Sequence, residues 1–419
     1  MRRTGELFTV FGRIGLLSFG GPAAQIALMH KELVEDRNWL TESQFLRALS
    51  FCMLLPGPEA MQLATYAGWR RQGNIGGLIA GCLFFVPGAI VILGLALAYG
   101  AYADLSVVQA AFAGIKATVV VIVINALRKV ASKALKTNAS YGIAVFSFVA
   151  LFVLDLPYPL VIFLAALAGI WLPKVETIAV SEPAPYHPTH FFKVLGIGSL
   201  LWAAPVVVAW LLGASFLVDV GLYFSKLAVV TFGGAYAVLA YMTQTVVGDF
   251  GWLTTGEMID ALGLAETTPG PLILVTQFVA MLAGLSQGGI GTALLAGLLT
   301  LWVTFVPCFI WIFAGAPLID WLEGQAKLQA ALSGITAAVV GVIANLSLWF
   351  AMHVFFQNVV QAEVGPLRIS SPDFVTVQWA VVALALLAGA LILWRGFGIV
   401  STLAITAGTA LILSLVGML

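Results

Sequence analysis

The sequence predicts an all-α polytopic membrane protein built from two inverted-topology repeats with Gly/Pro-broken helices. Three observations predict it. Of the 419 residues, 61% are hydrophobic and only 9% are charged, against about a quarter charged in an average soluble domain. Residues 75–103 and 267–319 contain no charged side chain at all. A helix needs about 20 apolar residues to cross the hydrocarbon, so these runs hold several crossings, and they lack the alternation of barrel strands. The chain also repeats itself. SFGG at Ser18–Gly21 matches TFGG at Thr231–Gly234, WLT at Trp39–Thr41 recurs at Trp252–Thr254, and PGP at Pro56–Pro58 recurs at Pro269–Pro271, all offset by 213 residues. FVP at Phe85–Pro87 recurs at Phe305–Pro307, and Asn125 matches Asn345, both offset by 220. Ordered matches with one small insertion mark an internal duplication.

Taken in order, apolar elements are expected near 5–35, 42–70, 75–103, 107–127, 139–155 and 158–173. After a polar, proline-rich stretch at 173–193 come elements near 194–213, 216–248, 255–284, 288–316, 328–357, 374–394 and 396–418, about 13 membrane segments in all. The first two elements of each half carry the Gly/Pro breaks and read as kinked spans or re-entrant hairpins. The domains follow: residues 1–173 an N-terminal repeat, 174–193 a cytoplasmic linker, 194–213 an extra linking transmembrane helix, and 214–419 the C-terminal repeat. Seven crossings separate equivalent points, or five if both early elements are hairpins. Either number is odd, so the repeats are expected to be inverted, a pattern of secondary transporters with a site at the repeat interface.

Arg2, Arg3, Arg70, Arg71, Arg128, Lys129, Lys133, Lys136 and the linker lysines fall on one side under this count, while the opposite loops carry Asp104, Asp155 and Asp219. By the positive-inside rule the N-terminus and linker are cytoplasmic and the C-terminus is periplasmic or extracellular, in the cell inner (plasma) membrane. The start resembles a signal peptide, but Arg13 interrupts its apolar run, so retention is expected. A formal net charge of zero gives no basic field for nucleic acid. Cys52, Cys82 and Cys308 stand singly without metal-type spacing, so neither a metal nor a cofactor is expected.

Arg13 and Lys226 are repeat-equivalent, each five residues before its S/T-F-G-G. Charges inside a membrane are costly and mark function by default, so the two read as halves of one anion site. After each FGG and PGP a new half-helix begins, whose free N–H groups carry partial positive charge. Gly20, Gly21, Gly233, Gly234, Gly57 and Gly270 let backbone approach a ligand there, and Ser18, Thr231, Gln62 and Gln277 supply neutral polar groups. Glu59 and Glu266 flank the two PGP breaks and suit charge balance or a coupled proton. Arg47 and Asp260 are equivalent with opposite sign, which suggests a pair. Lys116 aligns with Thr336, and snorkelling to the interface is its expected behaviour.

The stretches SFGGPAAQIALMHKELVEDRNWLT, LLPGPEAMQLATYAGW, FSKLAVVTFGGAYAVLAYM and GLAETTPGPLILVTQFV resemble the chromate ion transporter family in its long two-domain form, from about Phe11 to Ala351. The resemblance implies export of chromate from the cytoplasm and chromate resistance, with sulfate as a near-isosteric competitor. A dianion leaving a negative-inside cell gains about 2.3 kcal/mol per charge per 100 mV, so voltage alone can drive export. Alternating access by two rocking repeats is the expected mechanism. The partners expected are a chromate- or sulfate-like anion and the lipid bilayer, and a homo-oligomer is compatible with the sequence. The alternative within transport is a general oxyanion carrier with sulfate or a related anion as its substrate. A membrane enzyme acting on lipid phosphates would want a His/Asp or metal constellation, and no histidine lies in the repeated FGG or PGP motifs. An anion channel would show conductance without alternating access.

Overall fold

The computed structural model describes residues 2–19, 21–171, 188–232, 235–319, 325–364 and 367–418. Its helices in chain order are α1 Arg2–Leu17, α2 Gly21–His30, α3 Glu42–Leu54, α4 Glu59–Tyr102, α5 Ser106–Ala134, α6 Asn138–Phe152 and α7 Tyr158–Trp171. After the linker come α8 Pro188–Leu211, α9 Ser215–Val230, α10 Ala235–Thr243, α11 Thr255–Thr267 and α12 Val275–Gly315. Then follow α13 Ala326–Phe355, strands β1 Val359–Val364 and β2 Leu367–Pro372, α14 Trp379–Gly389 and α15 Ile399–Leu415. Among the described residues, five helical stretches are long and apolar enough to cross a membrane. The linker lies outside the described residues as far as position 187, and the next helix starts earlier than expected, with Pro188 in its first turn, where no N–H is needed.

The chain forms two compact units, each drawing on both sequence halves. One comprises Met1–Gly100, Lys174–Ala235 and Thr268–Ala326, the other Ala101–Pro173, Tyr236–Thr267 and Lys327–Leu419.

In the first unit the early elements double back. Arg13 of α1 reaches Glu32, just after α2, at 3.3 Å. A continuous helix would set residues 19 apart about 28 Å from each other, so the chain reverses between α1 and α2. α3 opens on a capping box between Thr41 and Gln44 and stops at Leu55, which is extended, as a residue before proline prefers. α4 is two arms. Gln72 and Gly73 leave helical geometry, Gly73 at φ +61°, and a Cβ on Gly68 would stand 2.3 Å from the Gly76 carbonyl oxygen. Arg71, ending the first arm, lies over Trp39, just before α3, at 4.8 Å. So α3 and residues 59–71 form a second hairpin. Its 13-residue arms rise about 20 Å, short of the roughly 30 Å hydrocarbon. Of the two readings open for 5–35 and 42–70, the hairpin is the one adopted.

α12 repeats the reversal at Gly288 and Gly289, the latter at φ +71°, and a Cβ on Gly284 would meet Ala293 Cα at 2.6 Å. Two indoles lace it to α8: Trp202 Nε1 donates to the Val303 carbonyl at 2.9 Å and Trp302 Nε1 to the Leu201 carbonyl at 3.0 Å. The drift in repeat offset now has an origin. A 3-10 turn at Leu272–Leu274 adds three residues after the second PGP. About one helical turn more lies between Gly289 and Phe305 than between Gly73 and Phe85.

The second unit packs through small residues, as membrane helices do. A Cβ on Gly114 of α5 would lie 2.3 Å from the Thr406 carbonyl oxygen of α15, and one on Gly341 of α13 would lie 2.2 Å from that of Ala144 in α6. The Thr118 and Thr406 hydroxyls join across the first of these contacts at 2.7 Å. The antiparallel pair β1–β2, with Val359 opposite Pro372 and Val364 opposite Leu367, was not anticipated.

Candidate anion site at the helix breaks

The breaks of the first unit are tied to one another across the two sequence halves. Gly57, in the first PGP, donates its N–H to the Thr231 carbonyl at 2.9 Å, and Gly270, in the second PGP, donates to the Ser18 carbonyl at 2.9 Å. Gly57 sits at φ +115° and Gly270 at φ +90°, conformations that favour glycine. Each hydroxyl beside a tie returns its proton to its own helix: Ser18 Oγ to the Ile14 carbonyl at 2.6 Å and Thr231 Oγ1 to the Leu227 carbonyl at 2.5 Å. The helix after each reversal backs the other half's PGP. A Cβ on Gly88 would fall 2.2 Å from the Pro269 carbonyl oxygen, and one on Gly57 3.0 Å from Cys308 Sγ; Gly88 and Cys308 are repeat-equivalent. Phe85 and its equivalent Phe305 stack on each other, with centroids 4.1 Å apart and planes 9° apart.

Buried amides complete the region. Gln62 Nε2 donates to the Pro56 carbonyl at 2.7 Å and Gln277 Nε2 to the Ala89 carbonyl at 3.2 Å. Both side chains are buried, and among the described residues both Oε1 atoms lack a hydrogen-bond partner. Gln25, which the repeat pattern did not single out, is buried and donates to the Gly270 carbonyl at 2.7 Å. The signal for it was its place as the one strongly polar side chain in GPAAQIALM. In this arrangement the N–H groups of Gly57 and Gly270, expected as anion donors, serve the protein's own carbonyls.

Arg13 stands apart from this core. Its side chain is 60% exposed and pairs with Glu32, which also holds Arg37. Lys226 is likewise on an exposed face. Gly21 opens α2 at φ +80°, while Gly20, Gly233 and Gly234 lie outside the described residues.

A family model described as chromate transporter matches residues 5–170 and 218–415, the two stretches that carry the breaks. This chain belongs to the chromate transporter family. Similar proteins include a probable chromate transport protein of Synechococcus elongatus, 28% identical and covering 81% of this chain and 82% of its own. The chromate transport protein of Cupriavidus metallidurans is 28% identical, covering 81% and 80%, and that of Pseudomonas aeruginosa is 29% identical, covering 81% and 79%. No solved structure matches. The family is one of transporters rather than enzymes, and its membrane setting agrees with the apolar helices.

The two carboxylates fall in different units. Glu59, half-buried, opens the first arm of α4 in one. Glu266, 4% exposed, ends α11 in the other and accepts from the Tyr236 hydroxyl at 2.9 Å. Tyr236 was not foreseen, although it directly follows the TFGG-Ala segment. Lys116, expected to snorkel, instead meets Asp260 at 3.0 Å, joining α5 to α11. A comparison of the two repeats could not reveal that partner, because equivalence of Lys116 with Thr336 says nothing of contacts between non-equivalent helices.

Proposed function

We propose that this chain exports chromate from the cytoplasm by alternating access, with its anion site among the four breaks. The supporting observation is the reciprocal pair of backbone ties, Gly57 to Thr231 and Gly270 to Ser18. When residue i of one copy meets j of the other and j meets i, the copies are related by a two-fold axis. With both early elements hairpins, five crossings separate equivalent points in this reading, an odd number that supports an axis in the membrane plane and inverted repeats. The N-terminus and linker are then cytoplasmic and the C-terminus lies outside, in keeping with the basic loops.

Each tie acts as one gate in this reading. Opening one releases a glycine N–H and the facing carbonyl while the other still seals its side. A tetrahedral oxyanion takes the released N–H, with Gln62 and Gln277 turning their amide donors inward. Arg13 and Lys226 supply the field that draws the anion, Arg13 leaving Glu32 as it arrives. Glu59, at the start of the first arm of α4, balances the site when it is empty. Expulsion of a dianion is favoured by roughly 4.6 kcal/mol per 100 mV, inside negative.

Chromate uptake into everted membrane vesicles, with and without sulfate, tests this. Wild-type uptake that Arg13→Gln and Lys226→Gln both abolish, at equal protein levels, is the expected result. Unchanged flux in both variants would remove the charged half-sites. Absence of wild-type uptake would overturn chromate as the cargo.

A further inference from the structure

At the open end of the second hairpin lies a cavity of about 330 Å³ lined by Trp39, Ala67, Trp69, Arg70 and Arg71. Its walls are braced from behind. Trp39 packs on Phe11, ring centroids 6.2 Å apart, and Trp69 on Tyr66 at 6.0 Å. The Arg71 guanidinium lies over the Trp39 ring at 4.8 Å, a cation–π contact that fixes its plane. The nearest carboxylate paired with Arg71 is Glu6 at 3.8 Å, a loose contact that leaves most of the guanidinium's donors available. Arg70 is exposed, and among the described residues it makes no ion pair. Two arginine forks beside two indoles match a phosphate with an uncharged polar body attached.

The surroundings say which phosphate. The cavity has the volume of about ten liquid waters, so a five-atom oxyanion would leave most of it empty. The chain turns at Gln72–Gly73 immediately beyond, and the helix that follows presents Ile75, 68% exposed, and Leu78, 45% exposed. An apolar rail therefore starts where the basic cavity ends. Tryptophan and arginine side by side at a helix end belong to the headgroup zone of a bilayer.

We propose that this cavity binds the phosphate headgroup of an anionic phospholipid, with its acyl chains running along the face that begins at Ile75 and Leu78. Lipid bound there clamps the second hairpin at its open end, opposite its PGP break. The site is independent of the cargo and of the transport reading.

The test is thermal unfolding of the purified full chain in neutral detergent, titrated with phosphatidylglycerol, with phosphatidylcholine of the same acyl chains, or with inorganic phosphate. Phosphatidylglycerol is expected to raise the midpoint by roughly 3 °C or more and phosphatidylcholine to do much less. The double variant Arg70→Gln/Arg71→Gln should lose that difference, and Arg70→Lys/Arg71→Lys should keep part of it. Equal response to the two lipids, or an undiminished phosphatidylglycerol effect in the glutamine variant at an unchanged baseline midpoint, would overturn the proposal. So would inorganic phosphate stabilising as well as the lipid does, which would make the cavity a free-oxyanion pocket. Because no transport is read, failure here leaves the export reading untouched.

Discussion

The breaks of the N-terminal half and those of the C-terminal half share a backbone and differ in their side chains. Ser18 and Thr231, Gly57 and Gly270 make matching ties at the same length. Around them the halves diverge: Gln25 stands where the second half has Val238, and Gly88 where it has Cys308. Duplication thus supplied a symmetric frame, and later substitution wrote an asymmetric lining into it. A frame held by backbone hydrogen bonds tolerates such drift, because no side chain is needed to make the bond.

The strongest way to break the comparison is at the FVP helices. Gly88→Ala puts a methyl 2.2 Å from the Pro269 carbonyl oxygen and 2.7 Å from Leu274 Cδ1, and should cost about 3 kcal/mol with near-complete loss of transport. Its counterpart Cys308→Gly, which makes the second half resemble the first, should cost only about 1 kcal/mol through the space it leaves. Thermal unfolding and vesicle flux on the pair would show whether the halves are exchangeable there. Next come Gly57→Ala and Gly270→Ala. Each forces a side chain to positive φ, at about 1–2 kcal/mol. Gly57→Ala should be the worse, since its methyl also meets Gln62 Nε2 at 2.9 Å.

An effect of about 1–2 kcal/mol is expected for Tyr236→Phe, which strips a donor from the buried Glu266 carboxylate. In a double-mutant cycle with Glu266→Gln, additive losses would show that the 2.9 Å hydrogen bond contributes nothing to stability. Smallest is a pH effect confined to the first half. In the polar connection between its hairpins, His30 Nε2 lies 2.6 Å from Glu42 and Nδ1 3.1 Å from Glu35. The hydrogen bond to Glu42, opposed by some burial and aided by both carboxylate charges, raises the His30 pKa. A raised folded pKa contributes stability below the ordinary value of about 6.5, lost as pH rises through the folded pKa. His30→Gln should therefore lower the unfolding midpoint at pH 5.5 and leave it unchanged at pH 9.

Much of this frame could be read from the sequence. The reversals fall where RRQGN and SQGG separate apolar runs, and glycine with flanking polar residues announces a turn. The FGG and PGP breaks are legible because glycine and proline cannot continue a helix cheaply. The ties between them are not, since a backbone N–H meeting a carbonyl hundreds of positions away leaves no mark on residue identity. Arg13 was legible as a charge interrupting an apolar run, but its partner Glu32 reads as part of the surface run HKELVEDR. The β1–β2 pair escaped because six-residue strands are brief beside the apolar helices around them.

The ties also bear on how the chain is made. Thr231 follows Gly57 by 174 residues and Gly270 follows Ser18 by 252. At about 5–20 residues per second, each early break waits roughly 10 to 50 s for its partner to leave the ribosome. For that interval its backbone lacks the acceptor or donor that it has in the folded chain, a state that is costly wherever the break lies away from water. The first half is thus a nascent species that its own insertion cannot finish. Co-expressed halves should rescue each other only when both enter the membrane together.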